Sequence, residues 1–378
     1  MRPKALSQRI AYLADRFEED YRAQRDLDER GQVYREVFRA HEGESAARKT
    51  ALGLCAFLEK KRILVREYDL LAGNVEYYDY TDTLPYHNRK VDKHLYGAGN
   101  ADPFATDIEI ERCMALKALA AGSPEAALLG RFQHACDCRL FVRWGSGHLV
   151  AGYRKLVAHG LAATIREGEA CLERHGADRE RRECVENMLM VCRAAQGYFL
   201  RYADQALALA HETRSPDWRK SLLRISNACR NLTEKPAADF FEAVQMVLLV
   251  HDVIVCESQS GSLSLGRLDQ LLYPYYERDL GSGRITEGEA QDLICALWLK
   301  LSRMREGFQN VTLGGCDRLG RFAGNAVTLF CLKASYDIRM DQPLVSLRCT
   351  KDMPDAFWEE AVALMRTGTG FPALFNDD

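Results

Sequence analysis

Glu257-Ser-Gln-Ser-Gly-Ser-Leu-Ser-Leu-Gly-Arg-Leu-Asp-Gln-Leu-Leu-Tyr-Pro-Tyr-Tyr276 is the most informative stretch of this 378-residue sequence. A segment rich in Ser and Gly leads into two charged residues, Arg267 and Asp269, and then into a run of aromatic residues. The charged residues resemble a catalytic pair, but a structural ion pair or helix cap is the favoured interpretation. We expect the tyrosines to pack in the core or at an interface: Tyr273, Tyr275 and Tyr276.

Helices and short strands are predicted on both sides of this stretch. Before it, residues 236–255 form a strongly apolar helix, with a proline at an early position where its missing N–H costs little. After it, Thr286-Glu-Gly-Glu289 is a capping box, whose hydroxyl and carboxylate satisfy free N–H groups at the start of a helix. Residues 343–349 alternate like a strand, and residues 354–366 form a helix.

The sequence upstream is mostly helical in pattern. Ile63, Leu64 and Val65 favour a β-strand, so residues 62–73 are predicted to form a short strand and a turn. Residues 77–100 are predicted to be an ordered loop. The predicted helices of this part are residues 6–24, 48–60, 107–121, 149–160, 161–175 and 179–214. Helices spaced by a few short strands favour an α/β fold, and the lack of a repeat or linker favours one domain over residues 1–378.

Composition and charge exclude several classes of function. The net charge is -3, which gives no reason to expect nucleic acid or an anionic membrane as a partner. No apolar run reaches the roughly 18 residues of a membrane span. The charged N-terminus lacks the apolar stretch of a signal peptide. We therefore expect a cytoplasmic protein.

Generic motifs indicate no chemistry. The 13 cysteines are odd in number and irregularly spaced, which predicts reduced thiols, many of them buried. His134-Ala-Cys136-Asp-Cys138 lacks a second pair at zinc-ribbon spacing, so no metal site is predicted. The sequence has no P-loop, no dinucleotide fingerprint, no nucleophile elbow and no H-E-x-x-H motif.

Longer blocks carry a resemblance to a known family. Residues 257–276 resemble E-S-x-G-H-S-x-S-x-G-R-F-D-Q-Y-x-Y-P-Y-Y, a signature of the glycyl radical enzymes of the pyruvate formate-lyase/glycerol dehydratase type. Further blocks resemble the family in the family's order: residues 70–74, 147–161, 284–287, 310–317, 342–343 and 371–377. On these blocks the chain is identified as the N-terminal part of such an enzyme, nearer the glycerol dehydratase branch than pyruvate formate-lyase.

The resemblance implies a ten-stranded α/β barrel of two antiparallel halves wrapped in helices, with this helix-rich chain as the N-terminal half. It implies no bound cofactor, but a protein glycyl radical near the family's C-terminus, installed by a radical S-adenosylmethionine activating enzyme. Glycine suits the radical because its Cα, without a side chain, can approach sulfur closely. A cysteine on a loop inside the barrel passes the radical to substrate, and a closed barrel excludes water.

The sequence departs from the family in length. The family's G-C-x-E loop, with its cysteine, is expected a few dozen residues after Asp377, and the R-V-x-G glycyl loop later still; neither occurs in these 378 residues. Cys316, in Gly-Gly-Cys-Asp, falls where the family varies. The chain as given is therefore expected to be incomplete at its C-terminus and inactive alone. A half-barrel would also expose strand edges, which favours aggregation.

Three positions match substrate-side residues of the dehydratase branch. His148 matches a histidine that points at substrate hydroxyls and could protonate a departing hydroxide near neutral pH. A helix-start histidine bonded to nearby backbone is the alternative. Ser262 matches a serine that contacts substrate, and a turn serine is its alternative. Gly261 stands where that branch has histidine, which enlarges the pocket and argues against glycerol itself as the substrate.

Two functions are therefore predicted. The complete protein would be an anaerobic glycyl radical dehydratase or lyase, in a family that includes formate acetyltransferases. It would remove water or a similar group from a small polar hydroxylated substrate. Its protein partners would be the activating enzyme and, since family members are commonly dimers, a second copy; no nucleic acid or membrane is predicted. The alternative is a catalytically silent fragment or scaffold subunit, with one half of a split enzyme between the two.

Overall fold

The computed structural model describes residues 6–17, 29–74, 149–175, 177–258, 262–303 and 308–378. The helices of this part are α1 (Gln8–Asp15), α2 (Glu29–Ala40), α3 (Ala46–Lys60), α4 (Tyr153–His175), α5 (Arg179–Glu212), α6 (Pro216–Glu234), α7 (Phe240–Ser258), α8 (Leu268–Gly281), α9 (Glu287–Leu301), α10 (Ala326–Ile338) and α11 (Asp355–Met365). Its strands are β1 (Leu149–Val150), β2 (Ser262–Arg267), β3 (Phe308–Gly314), β4 (Leu344–Cys349) and β5 (Ala373–Asn376).

The five strands form one parallel sheet in the order β1-β2-β3-β4-β5. Each strand is joined to the next by at least one helix, because parallel neighbours need a crossover connection. A helix-rich α/β chain with five parallel strands is what the expected half of a ten-stranded barrel requires. The α/β prediction is confirmed.

Alternation along the strands gives the sheet two unlike faces. One face packs against the helices and is called the helix face; its residues include Leu263, Leu265, Val311, Leu313, Val345 and Leu347, all buried. The opposite face is called the inner face; its residues include Ser262, Ser264, Phe308, Asn310, Thr312, Ser346 and Arg348. Successive side chains of a strand point to opposite faces, so each strand contributes to both.

Helices α7 to α10 form the core behind the sheet. The capping box at the start of α9 is confirmed: the Thr286 hydroxyl accepts from the Glu289 N–H, and the Glu289 carboxylate accepts from the Thr286 N–H. Tyr276 is buried, with its ring edge-to-face against Phe240 and Phe330, so the core interpretation holds for this tyrosine. Tyr273 and Tyr275 are half-buried.

The strand predicted within residues 62–73 is wrong. The chain there runs without a strand partner, and its backbone groups bond to side chains instead. The Ala72 N–H donates to Gln245 Oε1, the Asn74 N–H donates to Asp252 Oδ2, and Arg201 donates to the Lys61 carbonyl. Because side chains of α5 and α7 form hydrogen bonds with the backbone of this segment, it needs no neighbouring strand.

Two predicted helix starts are also wrong. Leu149 and Val150 belong to β1, and α4 begins at Tyr153; a positive φ at Gly160 then separates the two predicted helical pieces. Pro236 precedes α7 rather than lying inside its first turn. The Asp239 carboxylate accepts from the Glu242 N–H, so Asp239 caps the helix and sets its start at Phe240.

Several predictions fall wholly or partly outside the described residues. These are the helix at 107–121, the loop at 77–100 and the end of the helix at 6–24. Among the helices that the structure describes, none combines the length and apolarity needed to cross a membrane. The ten cysteines in the described ranges are free thiols, and five of them are buried.

Candidate functional site: the polar inner face

Five neutral polar side chains follow one another across three neighbouring strands of the inner face. They are called the polar strip: Ser262, Ser264, Asn310, Thr312 and Ser346. Asn310 Nδ2 donates to Ser346 Oγ at 3.0 Å, and Thr312 Oγ1 donates to Asn310 Oδ1 at 3.4 Å. Hydroxyl and amide groups of this kind can both donate and accept, which suits recognition of small hydroxylated molecules.

The parallel register places the strip in levels. Ser262 pairs with Phe308, Ser264 pairs with Asn310, and Thr312 pairs with Ser346. Phe308 leaves 57% of its surface exposed beside Ser262, although it is a large aromatic residue. The lowest level therefore combines a hydroxyl with an open aromatic surface, a pairing typical of pockets for small organic ligands.

The predicted site residues have different outcomes. Ser262 is half-buried and is the first residue of β2, so it lies in a strand rather than in a turn. His148 and Gly261 lie outside the described residues. Leu149 of β1 pairs with Leu263 of β2. Position 148 comes immediately before Leu149 in the sequence, and position 262 comes immediately before Leu263.

Arg267 and Asp269 bind backbone at the upper end of the strip. Arg267 donates to the carbonyls of Gly314 and Cys316. Asp269 is fully buried and accepts from the Gly314 N–H at 2.8 Å and from Thr328 Oγ1 at 2.7 Å. Burial raises the pKa of Asp269, and these hydrogen bonds oppose that rise. Both residues bond to backbone at the end of β3, so neither the expected ion pair between them nor the expected helix cap is formed.

A charged cluster closes the same end of the inner face. Arg348 Nε donates to Asp377 Oδ1 at 2.8 Å, and the Cys316 N–H donates to Asp377 Oδ2 at 2.8 Å. Burial alone would raise the pKa of Asp377, but hydrogen bonds from Arg348 and Cys316 bring it below its ordinary value. The hydrogen bond to Asp377 raises the pKa of the Cys316 thiol. This shift is opposite to the one that activates a cysteine as a nucleophile.

Four members of the strip were missed as functional candidates from the sequence: Ser264, Asn310, Thr312 and Ser346. Residues 308–313 alternate strictly between the two faces, with buried Gln309, Val311 and Leu313 between half-buried or exposed neighbours. In the sequence, Asn310-Val-Thr-Leu313 shows this period as an alternation of polar and apolar residues, which predicts a strand whose second face is not part of the core, whereas Phe308 and Gln309 break the pattern.

No metal centre is apparent in the described ranges. They contain no group of three or more His, Cys, Asp or Glu side chains placed to hold an ion. The His134-Ala-Cys136-Asp-Cys138 segment lies outside them.

A parallel sheet with an apolar face packed against helices and a polar opposite face is typical of α/β enzymes. The chain matches the PFL-like family, described as pyruvate formate lyase-like, over residues 6–378, and it belongs to that family. Its structural neighbours include a glycyl radical enzyme from Archaeoglobus fulgidus, which is 25% identical with a TM-score of 0.77 and is matched over 98% of this chain and 52% of that chain.

Individual relatives are moderately similar. The (2S)-3-sulfopropanediol dehydratase of Klebsiella oxytoca is 31% identical over 252 residues, which cover 62% of this chain and 30% of the relative. The isethionate sulfite-lyase of Nitratidesulfovibrio vulgaris is 26% identical, with 100% of this chain and 51% of the relative covered. A solved structure on 1,2-propanediol dehydration in Roseburia inulinivorans is 28% identical with a TM-score of 0.78, covering 99% of this chain and 51% of that chain.

The chain thus spans about half the length of the proteins that match it end to end. The predicted resemblance to this family is confirmed over residues 6–378, which correspond to about half of the longer proteins.

Proposed function

We propose that this chain supplies the N-terminal half of the barrel of a glycyl radical dehydratase or lyase, which acts on a small polar hydroxylated substrate. The observation that carries the proposal is the polar strip, which lines the inner face of the sheet opposite the helices. Family membership supplies the reaction class, since the matching relatives include a dehydratase and a sulfite-lyase.

The residues of this chain bind and orient the substrate. Ser262 contacts one substrate hydroxyl, and the amide of Asn310, already bonded to Ser346, can bond a second oxygen. His148 protonates the departing hydroxide, because a histidine can donate a proton near neutral pH. The hydrogen-atom abstraction is supplied by a protein radical, whose cysteine and glycine loops lie outside these 378 residues and whose installation needs a radical S-adenosylmethionine activating enzyme.

The substrate class follows from the charges of the inner face. The five strip residues are neutral, and Arg348 is paired with Asp377. A neutral diol matches this lining better than a sulfonate, which would need a cationic partner. Glycine at position 261 lacks the polar contact that the histidine of glycerol dehydratases offers and leaves more room, which argues against glycerol itself and for a diol with fewer hydroxyl groups.

The alternative is a catalytically silent scaffold or one half of a split enzyme. The strand β5 favours it, because all four of its residues are exposed and Phe375 leaves 54% of its surface open. An edge strand of this kind readily pairs with another polypeptide.

The test begins with the gene. Sequencing past codon 378, and through the neighbouring genes, establishes whether the G-C-x-E and R-V-x-G loops follow or are encoded separately. The complete protein, or the two halves expressed together, is then activated anaerobically with its activating enzyme. The glycyl radical is measured by electron paramagnetic resonance, and products are measured from 1,2-propanediol, 3-sulfopropanediol and isethionate.

We expect 1,2-propanediol or a similar neutral diol to give an aldehyde. Ser262→Ala should lower kcat/KM by about tenfold, since one substrate hydrogen bond contributes on the order of 1.4 kcal/mol. Ser282→Ala, an exposed serine beyond α8, is the matched control and should leave kcat/KM unchanged. A full radical signal without turnover of any substrate, or the lack of both loops in the genome, would leave the scaffold function in place.

A further inference from the structure

His251 is a buried histidine that the proposed chemistry does not use. It lies on α7, is fully buried, and is bonded at both ring nitrogens. Its Nδ1 lies 2.7 Å from the Tyr153 hydroxyl, and its Nε2 lies 2.7 Å from Gln309 Oε1. Tyr153 begins α4 directly after β1, and Gln309 is the second residue of β3. The histidine therefore joins two parts of the chain that are 156 residues apart.

The neighbouring bonds fix the direction of every proton in this group. Gln309 Nε2 donates to the Leu301 carbonyl at 2.7 Å, which turns Gln309 Oε1 towards the imidazole. Nε2 of His251 must then carry its proton, and Nδ1 must accept from Tyr153. Burial lowers the pKa of His251 to about 4, while the hydrogen bond to Gln309 and the charge of the adjacent Asp252 oppose that shift. The ring is neutral in a single tautomer.

The sheet register shows which strands these hydrogen bonds connect. Leu149, Leu263 and Gln309 form one level of the ladder across β1, β2 and β3. The two hydrogen bonds that link Tyr153, His251 and Gln309 pass behind β2 at this level, on the helix face. The sequence positions directly before these three are 148, 262 and 308. They include both residues proposed to act on substrate, and Phe308 beside Ser262.

The strand β1 needs such support. Within the part of the chain that the structure describes, β1 pairs with β2 only through Leu149 and Val150, and Val150 leaves 60% of its surface exposed. Two ladder pairs at the edge of a sheet give little stability by themselves, because short edge elements open readily. A buried hydrogen-bonded bridge, in contrast, has one geometry.

We propose that His251 is a positioning residue, which holds β1 in register with β2 and β3 and so fixes the end of β1 to which His148 is attached. The value of this alignment for chemistry rests on the proposed function, but the alignment itself does not. The bridge acts through Tyr153 and Gln309 and touches no substrate.

Hydrogen–deuterium exchange of the 378-residue chain, without any substrate, tests the bridge. Tyr153→Phe removes one hydroxyl from the bridge and should leave the fold intact. We expect it to speed exchange of the amides of residues 149–153 by about tenfold, with exchange in α10 unchanged. The matched control is Tyr198→Phe, which removes another buried hydroxyl that donates to Asp252, the next residue of α7. This control should leave residues 149–153 as protected as in the wild type.

Two further measurements separate positioning from general packing. His251→Gln retains one donor and one acceptor, so the amides of residues 149–153 should keep most of their protection against exchange. His251→Phe fills the same space without these groups, so that protection should be lost. Nitrogen-15 spectra of labelled histidine should contain one ring that stays neutral, with its proton on Nε2, down to about pH 5. Unchanged exchange at residues 149–153 in Tyr153→Phe, or equal protection in His251→Phe and His251→Gln, would overturn the proposal.

These outcomes remain distinguishable from a failure of the proposed function. If no substrate is turned over while the exchange results hold, the bridge is a device of the fold. If the enzyme is active but the exchange results fail, His148 is positioned by other contacts.

Discussion

Leu347 and Ser346 are neighbours on β4, yet they belong to two different chemical settings. Leu347 points into the helix face and is fully buried in the core. Ser346 points to the inner face, where its hydroxyl accepts from Asn310. The helix face is held by packing, whose loss leaves a cavity, whereas the inner face is held by hydrogen bonds that water can replace. The stability of this protein therefore resides on one side of the sheet, and its proposed chemistry on the other.

Each face has exceptions that follow from the same physics. The helix face contains the polar residue Gln309, whose side-chain amide is bonded to His251 and to the Leu301 carbonyl, both within the core. A buried polar group is tolerated only when its bonds are satisfied. The inner face contains the apolar residues Val150 and Phe375, and both are more than half exposed. They lie on β1 and β5, the two outer strands of the sheet, where the described residues place a neighbouring strand on one side only.

The largest expected effect comes from a cavity on the helix face. Leu347→Ala should lower the free energy of unfolding by about 3 kcal/mol, because it removes a fully buried side chain from a packed core. Urea denaturation of the 378-residue chain, followed by circular dichroism, measures the change.

Leu374→Ala is the matched control. Leu374 pairs with Leu347 in the adjacent strand but remains 42% exposed. Its truncation should cost under about 1 kcal/mol, since little packing is lost. Equal losses for the two leucines would contradict the distinction between a packed face and an uncovered edge.

The second effect is a pH dependence that originates on the helix face. The pKa of His251 is about 4 in the folded chain, against about 6.5 in an unfolded one. The unfolded state therefore binds more protons between these values, and stability falls as pH is lowered from about 6.5 towards 4. At pH 5 the loss from this one group should be about 2 kcal/mol relative to pH 7.5.

His251→Gln isolates this contribution, because glutamine does not titrate. Urea midpoints of the variant and the wild type are compared at pH 7.5, 6 and 5. The difference between their stabilities should shrink as pH falls, since only the wild type loses the neutral imidazole. A constant difference across this range would mean that His251 is accessible to protons without unfolding.

Local patterns predicted much of the fold. The capping box at Thr286 and the alternation in residues 343–349 are short-range signals, and the structure contains both elements. The strand predicted within residues 62–73 was wrong because Ile63, Leu64 and Val65 have strand propensity but no neighbouring strand. Gln245 and Asp252 of α7 instead accept hydrogen bonds from the backbone of this region. Propensity describes a residue, but a strand requires a partner.

The candidate site was less accessible to sequence reasoning. Ser262 came from the family resemblance, and its place at the start of a strand came from the structure. His251 lies in a strongly apolar helix, where the sequence gives it the appearance of an ordinary core histidine. Its partners are 98 and 58 residues away in sequence, and no local pattern links them. Hydrogen bonds of that span emerge only when the sheet register is known.

The smallest expected effect is on the inner face. Ser346→Ala should change the free energy of unfolding by less than about 1 kcal/mol, because Asn310 is partly exposed and water can replace the lost acceptor. The same variant in the complete enzyme should raise KM for a neutral diol several-fold, since the freed amide of Asn310 is no longer held in one orientation. Urea denaturation and steady-state kinetics measure the two quantities. A loss of stability as large as that of Leu347→Ala would mean that the inner face is part of the core, and the polar strip would then be structural rather than a substrate surface.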